Sequence, residues 1–173
     1  LMINGDLRRK NNQYLTDLAK KSPPEMLFKG PFQQLGNSQV EARFADTRTY
    51  VYKGKEVDRQ VHLGFDLAVT ANVPVVAAEA GTVVHASDLG IYGNCVVIDH
   101  GLGVQSLYGH LSSIGVKVGG WLANGDNFAC SDKKVGDFVA RIHRVDHAPV
   151  LDMNLHAAPP VSSAITAIRT AIP

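Results

Sequence analysis

A mainly β, antiparallel domain behind a short N-terminal helix is the fold this sequence predicts, and three observations carry it. From Phe28 onward, strand-length runs rich in Val and Ile alternate with turn residues: VPVVAA (73–78), GTVVHAS (81–87), NCVVID (94–99) and VQSLYGHL (104–111). β-branched side chains fit a pleated, half-buried surface, and the Gly, Asn and Asp between the runs mark the turns. HGLG (100–103) joins two of the runs and reads as a hairpin turn, with glycine available for positive φ. Helical spacing is confined to the start of the chain. An antiparallel β-sheet sandwich or open barrel follows.

Residues 1–22 are polar, with Leu7, Tyr14, Leu15 and Leu18 at helical spacing, and Pro23 and Pro24 end the pattern. This fits an amphipathic helix or the end of a longer coiled coil, its apolar stripe docking on the domain or on a partner. The chain divides into a helix or connector (1–24), a β domain (25–156) and a small-residue tail, AAPPVSSAITAIRTAIP (157–173).

With 173 residues there is one domain's worth of core, and 45% hydrophobic with 19% charged residues is a globular composition. A net charge of +1 gives no electrostatic reason to expect a nucleic-acid or anionic membrane partner. No apolar run approaches the roughly 18 residues of a membrane span. The chain opens at Leu1 rather than Met, as a fragment or mature form would. Cys95 and Cys130 form no metal spacing and read as two small buried hydrophobes, although a disulfide between them is open.

VHLGFDLAV (61–69) carries the chemistry. Read as a strand, it sends Leu63, Phe65, Leu67 and Val69 to the core and His62, Gly64, Asp66 and Ala68 to the other face. Imidazole and carboxylate both suit Zn²⁺. Four residues of strand separate their Cα atoms by about 13 Å, so one ion reaches both only if the backbone bends, which Gly64 permits.

The segments VHLGFDLA, PVVAAEAGTVVHA, GIYGN and SLYGHLS together resemble the lysostaphin-type (LytM-domain) zinc metalloendopeptidases, over about Phe32 to Gly125. The resemblance implies a grooved antiparallel β domain and cleavage of peptide bonds in bacterial peptidoglycan. By motif it makes His62 and Asp66 zinc ligands and His110 a catalytic histidine. The family's later HxH motif is missing. Ungapped register puts Arg141-Ile142-His143 in its place, with His143 as third ligand, Arg141 at the first catalytic position and His147 as the rival ligand. The same resemblance implies an extracytoplasmic site, in a bacterial periplasm or envelope, and an envelope protein as a partner for the helix. Arginine cannot act as a general base. That substitution leaves a second expectation: a degenerate LytM-type module that binds cell wall or activates another wall hydrolase.

The remaining polar residues read as structural. His85 alternates with apolar neighbours, His100 opens the turn, and His156 has no partner near in sequence. Asp99 and His100, adjacent on a strand, point to opposite faces and form no dyad, whereas Tyr108 should share the face of His110.

Overall fold

The structure, a computed structural model, describes residues 5–43, 45–62, 65–69, 72–131 and 139–144, with the backbone alone for 41, 60, 65, 66, 68 and 139–144. It opens with α1 (Gly5–Ala19), whose first turn carries Asp6, favourable beside the helix N-terminal dipole. Asn11, Leu15 and Ala19, spaced four apart, form its buried stripe. Lys21 and Ser22 donate their N–H groups to Leu18 and Ala19, and this tightened last turn precedes the two prolines.

Among the described residues, twelve strands follow: β1 (Gln39–Ala42), β2 (Thr47–Tyr52), β3 (Lys55–Val61), β4 (Phe65–Ala68), β5 (Pro74–Val76), β6 (Gly81–Asp88), β7 (Asn94–Asp99), β8 (Val104–Gly109), β9 (Leu111–Ile114), β10 (Trp121–Leu122), β11 (Asn127–Ser131) and β12 (Val139–Arg144). They form a seven-stranded sheet in the order β1-β4-β12-β8-β7-β6-β10, a three-stranded sheet β5-β11-β9 and the hairpin β2-β3. Every pairing is antiparallel. The sheets do not close into a barrel. Of the two architectures the sequence allows, the open, layered one is adopted.

Alternation along the inner strands sorts the side chains into two apolar clusters. Val83, Val96, Ile98 and Tyr108 of the large sheet meet Val75, Leu111 and Phe128 of the small one, with Phe28 and Phe32 closing the layer. On the opposite face, Cys95, Val97 and Leu107 lie under Leu15 of α1, together with Leu89 and Tyr92. The helix stripe therefore docks on its own domain. Each of these side chains contributes about 1.5–3 kcal/mol on burial. Both cysteines are free; Cys95 is buried and Cys130 half-buried.

The β7–β8 turn anchors the segment that leaves α1. Gly101, Leu102 and Gly103 all have positive φ, as the glycines in HGLG promised. Asp99 Oδ1 accepts from Ser22 Oγ (2.7 Å) and from the Gly101 N–H (2.9 Å), which occupies this carboxylate structurally. Leu27 N–H donates to the His100 carbonyl and Leu102 N–H to that of Pro23, each at 2.9 Å.

VQSLYGHL is not one strand. The chain passes from β8 in the large sheet to β9 in the small sheet at His110, whose φ is +56°. The break corrects the expectation that Tyr108 and His110 share a face. Tyr108 is buried in the core, where its oxygen accepts from the Ala78 N–H (2.8 Å) and its ring meets Phe128 edge-on.

Candidate active site

His62 leaves β3 half-buried and pinned through its backbone: its N–H donates to the Asp46 carbonyl and its carbonyl accepts from the Ala45 N–H, both at 2.8 Å. Asp66 lies on β4 between Ala42 of β1 and Val139 of β12, and Val139 faces Gly109 of β8. One row across the sheet thus runs Ala42, Asp66, Val139, Gly109, with His110 directly after it. Two strand spacings put Asp66 and Gly109 about 10 Å apart along that row.

Arg141 and His143 lie further along β12, opposite Leu107 and Gln105. Alternation assigns positions 139, 141 and 143 to the same sheet face as 105, 107 and 109 on β8 and 66 on β4. His143 stands four residues, about 13 Å, from the Asp66 row. β4 is antiparallel to β12, with Asp66 opposite Val139 and Phe65 opposite Ala140. Asp66, Arg141 and His143 hold positions on neighbouring strands and one sheet face, but Asp66 and His143 do not share a row. Among the described residues no group of three or more His, Cys, Asp or Glu is close enough to hold a metal. The side chains of Asp66, Arg141 and His143, and all of Gly64, His147, His156 and the 157–173 tail, lie outside them.

His110 is the best-defined member. Its N–H donates to the Tyr92 carbonyl at 2.7 Å, outside any strand ladder. Asn94 Nδ2 donates to the carbonyl of the next residue, Leu111, at 3.1 Å. Its Nδ1 lies 3.8 Å from where a Cβ on Gly93 would stand. Gly93 itself has φ 57° and ψ −146°, a region open essentially to glycine alone. Left-handed backbone at a non-glycine residue costs on the order of 1–3 kcal/mol and persists where neighbours enforce it, characteristically at functional sites.

Gln105 was missed in the sequence because VQSLYGH reads as ordinary strand alternation. It is 1% exposed, and among the described residues neither polar atom of its amide has a hydrogen-bond partner. A buried, unmatched amide costs about 1–3 kcal/mol. Gln105→Leu should therefore raise the thermal midpoint of the metal-free chain; a lowered midpoint would show that the amide contributes to the fold.

His85 and His100 are structural, as expected. His85 Nδ1 accepts from the Tyr14 hydroxyl (2.9 Å) and Nε2 donates to the Ser87 carbonyl (3.1 Å), tying α1 to β6. His100 is fully buried; Nδ1 donates to the Ala80 carbonyl and Nε2 accepts from Ser106 Oγ, both at 2.7 Å. Burial depresses both pKa values below 6.5, outweighing the hydrogen bonds to Ser87 and Ala80 and the nearby acids, which raise them. The unfolded chain then binds protons more readily than the folded one below pH 6.5. Stability should be flat above that value and fall as pH drops through the two folded-state pKa values. Thermal midpoints measured from pH 8 to pH 5 test this; a midpoint unchanged at pH 5 contradicts it.

The described residues form an open antiparallel β domain with Asp66 on an inner strand and His110 at a strand break. The profile of Peptidase family M23 matches residues 60–144. Over 54 residues the chain is 41% identical to the DD-carboxypeptidase/endopeptidase Mpg of Neisseria meningitidis serogroup B, a match covering 31% of this chain and only 13% of that relative. Among solved structures, the catalytic domain of lysostaphin from Staphylococcus simulans is similar with a TM-score of 0.55 at 22% identity, over 72% of this chain and 95% of that one. Helicobacter pylori Csd3 gives a TM-score of 0.55 at 18% identity, covering 74% of this chain and 34% of that one. A zinc-containing peptidase from Vibrio cholerae gives 0.53 at 22% identity, covering 73% and 41%. At these identities the likeness to the solved structures is one of fold. Residues 60–144 thus match peptidase family M23, and the fold is like that of the lysostaphin catalytic domain.

Proposed function

We propose that this chain is a zinc metalloendopeptidase that hydrolyses peptide bonds of bacterial peptidoglycan, outside the cytoplasm. The observation that carries the reading is the row joining Asp66 to Gly109, with His110 turned out of the ladder immediately beyond it. A chain that matches family M23 over residues 60–144 and carries a metal-competent carboxylate and a displaced histidine two strands apart has the elements of metal-assisted hydrolysis.

The donor chemistry fits zinc: two imidazoles and a carboxylate, from His62, Asp66 and His143, are three protein ligands with a fourth position left open. By register, Asp66 and His143 lie in different rows of the β4–β12–β8 sheet. With zinc in that set, the site gains an acidified water and a polarised peptide carbonyl. His110 takes the proton of the attacking water or donates to the oxyanion. Arg141, permanently charged, donates to the oxyanion or pairs with a substrate carboxylate and takes no proton. Gln105, opposite His143, offers an acceptor for the ring N–H that a ligating histidine leaves over.

Arg141 supports a second reading, a LytM-type module that binds wall or activates another hydrolase without cleaving. Purified chain incubated with isolated sacculi separates the two. The enzyme reading expects new amino termini, lost on chelation and regained with Zn²⁺. Wall binding with no new termini at any zinc concentration overturns it. No helix among the described residues is long and apolar enough to cross a membrane. The helix as a docking element for an envelope protein remains a proposal, and its buried stripe leaves Leu7 and Tyr14, 38% and 40% exposed, as the apolar side chains it offers.

A further inference from the structure

The connection from α1 to the strand break at His110 is short and consists of hydrogen bonds. Asn11, 6% exposed in the middle of the helix, accepts the Ile91 N–H on Oδ1 at 3.2 Å. Ile91 lies in the 3₁₀ turn Gly90–Tyr92 that links β6 to β7. The next residue, Tyr92, is the one whose carbonyl accepts the His110 N–H at 2.7 Å. Asn11 also fits closely over Gly90: a Cβ there would stand 2.8 Å from Asn11 Oδ1 and 3.0 Å from Nδ2, at a φ of +54°. Leu15, one turn further along the same helix stripe, packs with Leu89 and Tyr92 at either end of the turn.

The turn is also bonded within itself. Within it, Tyr92 N–H donates to Leu89, Gly93 N–H to Gly90 and Leu89 N–H to Gly93, and Asp88 Oδ1 accepts from the Gly90 N–H at 3.1 Å. These bonds are local, and two glycines at positive φ, Gly90 and Gly93, leave the segment conformationally permissive. The contacts that place it against the domain come from α1 on one side and from Cys95 and Val97 of β7 and Leu107 and Gly109 of β8 on the other. His110 holds a left-handed backbone, and the Tyr92 carbonyl accepts its N–H.

We infer that α1 is a working part of the site rather than a connector: Asn11 is a positioning residue that fixes the Gly90–Tyr92 turn and, through the Tyr92 carbonyl, the left-handed backbone of His110. The structural half of this inference stands on geometry alone; its consequence for turnover rests on the function proposed above.

The test uses the full chain and two substitutions. Asn11→Leu keeps the size and removes the acceptor; Asn11→Asp keeps an acceptor oxygen. Amide hydrogen exchange, followed residue by residue by NMR, reads the His110 N–H directly. The expected result is exchange about tenfold faster at His110 in Asn11→Leu, as loss of one hydrogen bond implies. β7 and β8 amides stay protected, and Asn11→Asp restores the His110 value. Unchanged His110 exchange in Asn11→Leu overturns the inference, as does uniform loss of protection in both variants, which would make Asn11 a general packing residue. On the peptidoglycan assay, Asn11→Leu should lower kcat about tenfold with zinc content and KM held. A wild-type chain without hydrolytic activity, but with the expected exchange pattern, overturns the proposed function and leaves the positioning role standing.

Discussion

Replacing His110 with Asn should lower peptidoglycan hydrolysis by about 10²- to 10⁴-fold while leaving zinc content and fold intact, the range expected for losing a group that moves a proton in the transition state. Asparagine is the informative choice. It tolerates left-handed backbone, so the φ of +56° and the bond to Tyr92 survive the change. The imidazole alone is removed. Assays at several pH values with zinc measured in parallel check this. Loss of zinc together with activity would assign His110 to the metal; unaltered hydrolysis would remove it from the chemistry.

Gly101→Ala should be the most destabilising single-methyl change in the β7–β8 turn, at about 2–5 kcal/mol. The added Cβ would run into the Glu25 carbonyl oxygen and carbon, backbone atoms that cannot move aside. Overpacking of that kind costs about 1–3 kcal/mol. A φ of +83° adds about 1–2 kcal/mol for a residue with a side chain. The strain falls where the chain segment after α1 is held, between the bonds of Leu27 to His100 and Leu102 to Pro23. Chemical denaturation checks it. A loss below 1 kcal/mol would mean that Glu25 can withdraw without disturbing the turn. Against a typical stability of about 5–15 kcal/mol, the expected loss is a large fraction.

The elements most legible in the sequence are those with one buried and one differently buried face. β6 and β7 carry consecutive Val and Ile, VV in one and VVI in the other, because both of their faces are covered, by the small sheet and by α1. The HGLG turn was legible because only glycine takes its φ values cheaply. The β2–β3 hairpin was not. Tyr50, Val51 and Tyr52 are 40%, 63% and 45% exposed, so no core face imposes a pattern on it, and its turn is Lys53-Gly54 rather than a stronger hairpin pair. β10 and β11 were missed for a related reason: one is two residues long, and the other, NFACS, has a single large apolar residue.

The site shows the same division. HxxxD was visible because two polar side chains interrupt an apolar run. The break at His110 was not, since VQSLYGHL alternates well enough to pass for one strand. What ends β8 is a hydrogen bond from His110 to Tyr92, 18 residues earlier in sequence. A contact of that range leaves no local mark beyond the preceding Gly109, where a Cβ would stand 3.2 Å from the same carbonyl. Gln105 could be recognised as unusual only once its neighbours were known. Asn11 was not legible either: in sequence it sits within the polar run KNNQ (10–13), and only the fold shows that it is buried.

The most direct test of the account is the zinc bound per chain, measured by elemental analysis on wild type and on His62→Ala, His143→Ala and His147→Ala after loading with Zn²⁺ and removal of excess. Near-stoichiometric zinc in wild type and in His147→Ala, lost in His62→Ala and His143→Ala, is the result the proposed site requires. Zinc kept in His143→Ala and lost in His147→Ala would move the third ligand beyond β12. A wild-type chain that binds none would contradict the peptidase reading and leave the wall-binding module.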